Sequence, residues 1–161
     1  MALSKSSLKG EIAGIFSSPN QSAVAALRTA TAIANYWIAG KSNLGGTPVV
    51  ATIIPIINNG LSSTFDSQPV SQKLAAKQIT DAIDSAFLSM TITGGKHGAG
   101  GIDSAPKGTL KSGIENAINY PPTSDEFANR FSQAIHDYTT NCKVFGTGVS
   151  PDFIQPSGPL T

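Results

Sequence analysis

Apolar residues recur at steps of three and four along three stretches of this chain, the spacing of a helix with one buried face. The clearest stripe is Phe127, Phe131, Ala134, Ile135, Tyr138 and Cys142. A second runs through Ala75, Ile79, Ala82, Ile83, Ala86, Phe87 and Met90, with Lys73, Lys77, Asp81 and Asp84 mainly outside it. The first, with Val24, Leu27, Ala30, Ile33, Tyr36 and Trp37, is apolar nearly all round and is expected to be the most buried and to sit centrally. Each stripe predicts a helix of about 17 to 22 residues. Thr123 followed by Glu126 is a capping-box pattern, Ser71 and either Asn20 or Ser22 are the other caps, and glycines at 40, 45–46, 94–95 and 146 are the expected stops.

The three stretches align without gaps. Pro19, Pro69 and Pro121 are followed seven residues later by Ala26, Ala76 and Ala128, and six further on by Ala32-Ile33, Ala82-Ile83 and Ala134-Ile135. The next shared column is Tyr36, Ala86 and Tyr138, so the spacings are 50 and 52 residues. Upstream, Leu8-Lys9 and Ile12 match Leu110-Lys111 and Ile114 at the same 102-residue offset. A shorter apolar segment precedes each long helix, at 7–17, 48–65 and 109–119. The middle one is ambiguous: Val49, Val50, Ile53 and Ile54 favour a strand, whereas Ile53, Ile57, Leu61 and Phe65 step by four. Helix is preferred, because Pro48 suits a first helical position and a lone strand would lack a partner. The fold class expected is therefore all-α, with three tandem helical-hairpin repeats, about six helices, Gly-rich loops and an extended C-terminal arm. Residues 1–161 form one domain, with repeats at about 1–46, 47–101 and 102–161. Three such hairpins can close into a bundle or form an open stack, and β-branched residues at Thr91-Ile92-Thr93 and Val144-Phe145 could add a small strand or ribbon.

Composition narrows the function. Charged residues make up only 13% of the chain, about half the usual share, so hydroxyls, amides and glycine must cover the surface. A net charge of +1 and the absence of any Lys/Arg run disfavour nucleic acid as a partner. The longest apolar run, 49–57, contains Thr52 and Pro55 and falls far short of the roughly 20 residues that cross a bilayer, so no membrane is expected, nor is a cleaved leader behind Lys5 and Lys9. A single cysteine excludes an internal disulfide.

Candidate chemistry is sparse. The stretch 93–101, with five glycines, Lys96 and His97, superficially resembles a phosphate-binding loop but lacks Gly-x4-Gly-Lys-Ser/Thr and follows a helix, so a linker or partner-binding loop is preferred. His136 and Cys142, six residues apart, fall on different helix faces and make neither a zinc pair nor a nucleophile with its base; His136 reads as a solvated residue and Cys142 as a small core residue. Asp81, Asp84, Asp103, Glu115, Asp125, Glu126 and Asp137 read as caps and solvated charges instead of a catalytic carboxylate pair. Tyr36, Trp37 and Tyr138 fall on the core stripes. Residues 149–161 carry three prolines and no helical period, which suits an arm contacting another subunit through Phe153, Ile154 and Leu160.

The repeated Ala-x5-Ala-Ile-x2-Tyr helix followed by a β-branched stretch and glycine resembles small virion proteins of tailed bacteriophages. The likeness is carried by Ala26, Ala32, Ile33 and Tyr36, by Ala76, Ala82 and Ile83, and by Ala128, Ala134, Ile135 and Tyr138; Ala86 departs from the tyrosine position. It implies a non-enzymatic structural component of a virion (head, neck, tail or baseplate), made in the host cytoplasm. Its partners would be other virion proteins and copies of itself, with no cofactor, metal or small-molecule substrate. The alternatives are a helical adaptor for a cellular or host protein and, behind it, a small enzyme or ligand carrier.

Overall fold

A computed structural model describes residues 3–42, 45–67, 71–119, 123–147 and 161. It contains six α-helices: α1 (Lys5–Phe16), α2 (Ser22–Ile38), α3 (Ile53–Ser67), α4 (Gln72–Leu88), α5 (Lys107–Ile118) and α6 (Ser124–Thr140). Each helix packs on the next in sequence and α6 packs on α1, so the six close into a ring instead of an open stack. The three long helices have 17 residues each and begin 50 and 102 residues apart. Their buried positions recur at those offsets: Ala26, Ala76 and Ala128; Ala32, Ala82 and Ala134; Ile33, Ile83 and Ile135. The short helices bury Leu8, Ile12 and Ile15, then Ile57, Leu61 and Thr64, then Leu110, Ile114 and Ala117.

Small residues set the spacing between α3 and α4 and between α5 and α6. A Cβ added to Gly60 would stand 2.3 Å from the Ala82 Cβ, and one added to Gly113 would stand 2.5 Å from the Ala134 Cβ, both far inside van der Waals contact. Local caps match the side chains that predicted them for two long helices. The Leu74 amide donates to Ser71 Oγ at 3.2 Å and the Glu126 amide to Thr123 Oγ1 at 3.1 Å. Glu126 turns its carboxylate to Arg130, so the reciprocal half of the capping box is exchanged for an ion pair at 2.8 Å. The first long helix differs: Gln21 occupies its cap without a side-chain bond, and Asn20 instead donates to the Ile15 and Ser18 carbonyls behind α1.

The fold is not all-α. Four strands, β1 (Thr47–Val49), β2 (Thr91–Gly94), β3 (Gly98–Ser104) and β4 (Lys143–Gly146), form an antiparallel sheet in sequence order at the pole where the long helices end. Pro48, Ile92, Ile102 and Val144 face the helices and are buried there. The segment 48–65 thus divides, and the expectation that it forms one helix is corrected. Val49 lies in β1, opposite Thr91, and the helix begins at Ile53. The missing pairing partner is supplied from across the ring by β2, more than forty residues away, which local spacing cannot anticipate. Pro48 is tolerated because β1 is an edge strand, and Pro55 because it lies in the first turn of α3.

Of the glycines read as helix stops, Gly40 directly follows the cap of α2 and its amide donates to the Trp37 carbonyl at 2.9 Å, whereas those further on have other work. Gly94 and Gly95 take positive φ values of 96° and 59° and, with the 3-10 turn Gly95–His97, reverse the chain between β2 and β3. Gly146 lies within β4. The long helices stop at Ala39, Ser89 and Asn141 without any left-handed residue. Nor is the first long helix central: α2 is one wall of the ring and exposes Val24, Leu27 and Ile38. Among the described residues no helix is long and apolar enough to cross a membrane.

Candidate functional site

The chemistry-bearing side chains gather where the long helices meet near the sheet. Trp37 and Phe87 occupy the same register in α2 and α4, and their rings lie 4.8 Å apart; Phe87 and Tyr138 lie 4.9 Å apart. All three are fully buried. Trp37 Nε1 donates to Thr139 Oγ1 at 3.0 Å, and Thr139 Oγ1 in turn donates to the Ile135 carbonyl at 2.7 Å. The indole N–H, costly to bury unpaired, is therefore satisfied across the α2–α6 boundary.

A second set of bonds runs around the ring with a regular offset. Tyr138 of α6 donates to Asp84 Oδ1 of α4 at 2.7 Å. Tyr36 of α2 is hydrogen-bonded to His136 Nδ1 of α6 at 2.6 Å. Asp84 and His136 stand in one aligned column, two residues before the tyrosine column. The corresponding residues at the third boundary are Ala86 and Ala34, both buried. Where the column carries a hydroxyl, its partner carries a polar group; where it carries a methyl, its partner does too. Each hydrogen bond to a buried or charged group of this kind contributes about 1–3 kcal/mol.

Asp84 is only 6% exposed and also meets Lys107 Nζ at 3.2 Å, which reaches Asp81 at 2.9 Å. Lys77 pairs with Asp81 at 2.7 Å. Bonds from Lys77 and Lys107 hold the Asp81 carboxyl below the usual carboxylate range, and bonds to Asp81 and Asp84 hold Lys107 above its ordinary value. Burial, then the bond to Asp84, pushes the Tyr138 phenol well above its ordinary range. Burial, then the charge of Asp137, does the same for Tyr36. Both tyrosines thus stay neutral, and their bonds join α6 to α4 and α2 to α6.

Four of the other carboxylates are also engaged. Asp125 pairs with Lys9, Glu115 with Lys111 and Glu126 with Arg130, while Asp137 accepts from Gln133. His136 is half-buried and bonded, which corrects its reading as a solvated residue; Cys142 is buried, as read. His97 ends the turn between β2 and β3, so the glycine-rich stretch is a hairpin and not a free linker. Among the described residues no group of three His, Cys, Asp or Glu side chains could hold a metal. Phe153, Ile154 and Leu160 lie outside the described residues; Thr161 exchanges two backbone hydrogen bonds with Lys41, at 2.9 and 3.0 Å.

The opposite pole is built differently. A cavity of about 710 Å³ opens among the C-terminal ends of the short helices and the N-terminal halves of the long ones. Phe16, Phe65 and Phe127 form its rim, with Phe16 packed edge-on against Phe65 at 6.2 Å and Phe127 at 4.9 Å. Leu61, Ile79 and Phe131 line its wall, and so does Thr29. Thr29 is 1% exposed, yet its Oγ1 has no hydrogen-bond partner among the described residues. Sequence reasoning missed this cavity. Its signal lies in the aligned columns Thr29, Ile79, Phe131 and Ala25, Ala75, Phe127, where α2 carries the smallest residue of the first and both α2 and α4 carry alanine in the second. No family model, curated protein or solved structure matches this chain.

Proposed function

We propose that this chain is a non-enzymatic structural component of a tailed-bacteriophage virion, at the head, neck, tail or baseplate, acting through protein-protein assembly. In this reading it is three tandem units, each a short helix, a long helix and a closing strand. The equal long helices, their recurring buried columns and the offset tyrosine bonds support that division. The observation that carries the assembly role is the outward face of the sheet. One row across it reads Val49, Thr91, Gly101 and Phe145, with Val49 and Phe145 exposed on the two outer strands. Among the described residues β1 and β4 each pair on one side only. A face with exposed apolar residues on both outer strands and with open edges suits strand addition or stacking against a neighbour.

Two measurements test it. Light-scattering mass across a concentration range is expected to give a defined oligomer for the unaltered chain and a smaller species for a Val49→Lys, Phe145→Lys double variant, whose changes are at exposed positions. Mass spectrometry of purified particles is expected to find the chain in more than one copy. A chain that is monomeric at every concentration and absent from particles would overturn the proposal.

A further inference from the structure

We propose that the main chain at Lys41 is a strand-pairing site whose occupant is Thr161 of the same chain, and that this pair is the clasp that joins the segment after α6 to the segment after α2. The proposal goes beyond the assembly reading and does not rest on it. It starts from the way the long helices are left. The amides of Gly40, Met90 and Cys142 donate to the carbonyls of Trp37, Phe87 and Thr139, at 2.9, 3.1 and 3.3 Å. Lys41, Thr91 and Lys143 come next and are exposed, and Ser42, Ile92 and Val144 follow and are buried. That alternation is the pleat of a strand, present after α2 as it is in β2 and β4.

Pairing extends the equivalence. Thr91 pairs with Val49 and Lys143 with Ser104, each time antiparallel to a segment that follows the previous long helix. For α2 the previous long helix around the ring is α6, and the chain beyond it runs on to Thr161. Thr161 is the residue that Lys41 pairs with: the Lys41 amide donates to the Thr161 main-chain oxygen at 2.9 Å and the Thr161 amide to the Lys41 carbonyl at 3.0 Å. Reciprocal bonds of this kind make a hydrogen-bonded antiparallel pair. From Lys41 a turn leads into β1, tied by the Ser42 amide to the Gly46 carbonyl at 2.8 Å, while the Thr147 amide prolongs β4 by donating to the Ala99 carbonyl at 2.8 Å. The clasp therefore links the two outer strands. The 13 residues from 148 to 160 reach about 45 Å when extended, against about 14 Å across four strands. A linker of that length holds its ends at an effective concentration on the order of millimolar, which favours the chain's own Thr161 over that of a second copy.

The test uses the full chain. In a hydrogen-bonded antiparallel pair the Cα atoms stand about 5.5 Å apart, within the reach of a disulfide. The exposed pair is replaced by cysteine, Lys41→Cys with Thr161→Cys, the protein is oxidised at several concentrations, and the products are resolved by non-reducing electrophoresis and mapped by peptide mass spectrometry. A 41–161 bond within one chain is expected at every concentration. A covalent dimer, the arm between subunits that the sequence suggests, would overturn the proposal, and so would the absence of a 41–161 bond. Oxidation should also raise the thermal midpoint by roughly 5 °C or more, and an unchanged midpoint would overturn the role as a clasp. Hydrogen exchange of the chain without added cysteines gives an independent check. The exposed Lys41 amide should exchange at least about tenfold more slowly than in an unstructured peptide. Thr161→Pro, which removes the amide that donates to Lys41, should abolish that protection, whereas Thr161→Ala should keep it. An unprotected Lys41 amide in the unaltered chain, or equal protection in the two variants, would overturn the pairing.

Discussion

At the sheet pole the three long helices bring Trp37, Phe87 and Tyr138 into one sealed aromatic cluster, whereas at the other pole the same helices bring Thr29, Ile79 and Phe131 to the wall of a cavity. Both sets lie on the same apolar stripes, roughly two turns apart. The stripe therefore determines which face turns inward, and the side-chain volumes at each level determine whether the centre is filled. Near the sheet, large rings meet and their polar atoms find partners across the ring. At the open pole the residue that α2 brings to the lining is Thr29, smaller than the Ile79 and Phe131 that α4 and α6 bring there.

The contrast is broken most sharply by the same substitution at both poles. Phe87→Ala, in the sealed cluster, is expected to cost about 4–5 kcal/mol in denaturant-unfolding stability, and Phe131→Ala about 3 kcal/mol, because one side of its ring already borders open space. Equal losses would mean that the two poles are equally well packed. Next in size is Asp84→Ala, at about 2–3 kcal/mol, since it strands the Tyr138 hydroxyl and one contact of Lys107. Adding Tyr138→Phe should recover part of that loss in a double-mutant cycle, imitating the boundary where Ala34 and Ala86 stand.

The polar locks also give the sheet pole a pH signature. Tyr36 and Tyr138 have folded-state values raised above those of the unfolded chain, so their contribution is complete below about pH 10 and is lost as the pH rises through the folded values. At about pH 11 the loss should be on the order of 1 kcal/mol for each tyrosine, measured by urea unfolding, and Tyr138→Phe should flatten the decline. The smallest effect belongs to the open pole. Thr29→Val should raise stability by about 0.5–1 kcal/mol, because it removes a buried hydroxyl without a partner. A loss of stability there would show that the hydroxyl is satisfied in solution.

Much of this arrangement is legible in the residues. Stripes at steps of three and four located all six helices, and Ser71 and Thr123 marked two of the starts, because periodicity and capping are local properties of the chain. The sheet was legible only as scattered β-branched residues at Thr91-Ile92-Thr93 and Val144-Phe145. A strand is defined by its partner, and Val49 finds Thr91 only after two helices have been folded between them. His136 and Asp84 were read as exposed polar residues for the same reason: their partners, Tyr36 and Tyr138, come from other helices, 100 and 54 residues away.

The sequence by itself determined the number of helices, the faces they bury and the columns that recur along the chain, since these follow from backbone periodicity and apolar burial. Tertiary structure alone decided that the helices close into a ring, that four strands cap one pole, which polar columns bond across the boundaries, and that one pole stays hollow. Closure, pairing and empty volume depend on distances between residues far apart in the chain, and no local pattern encodes them.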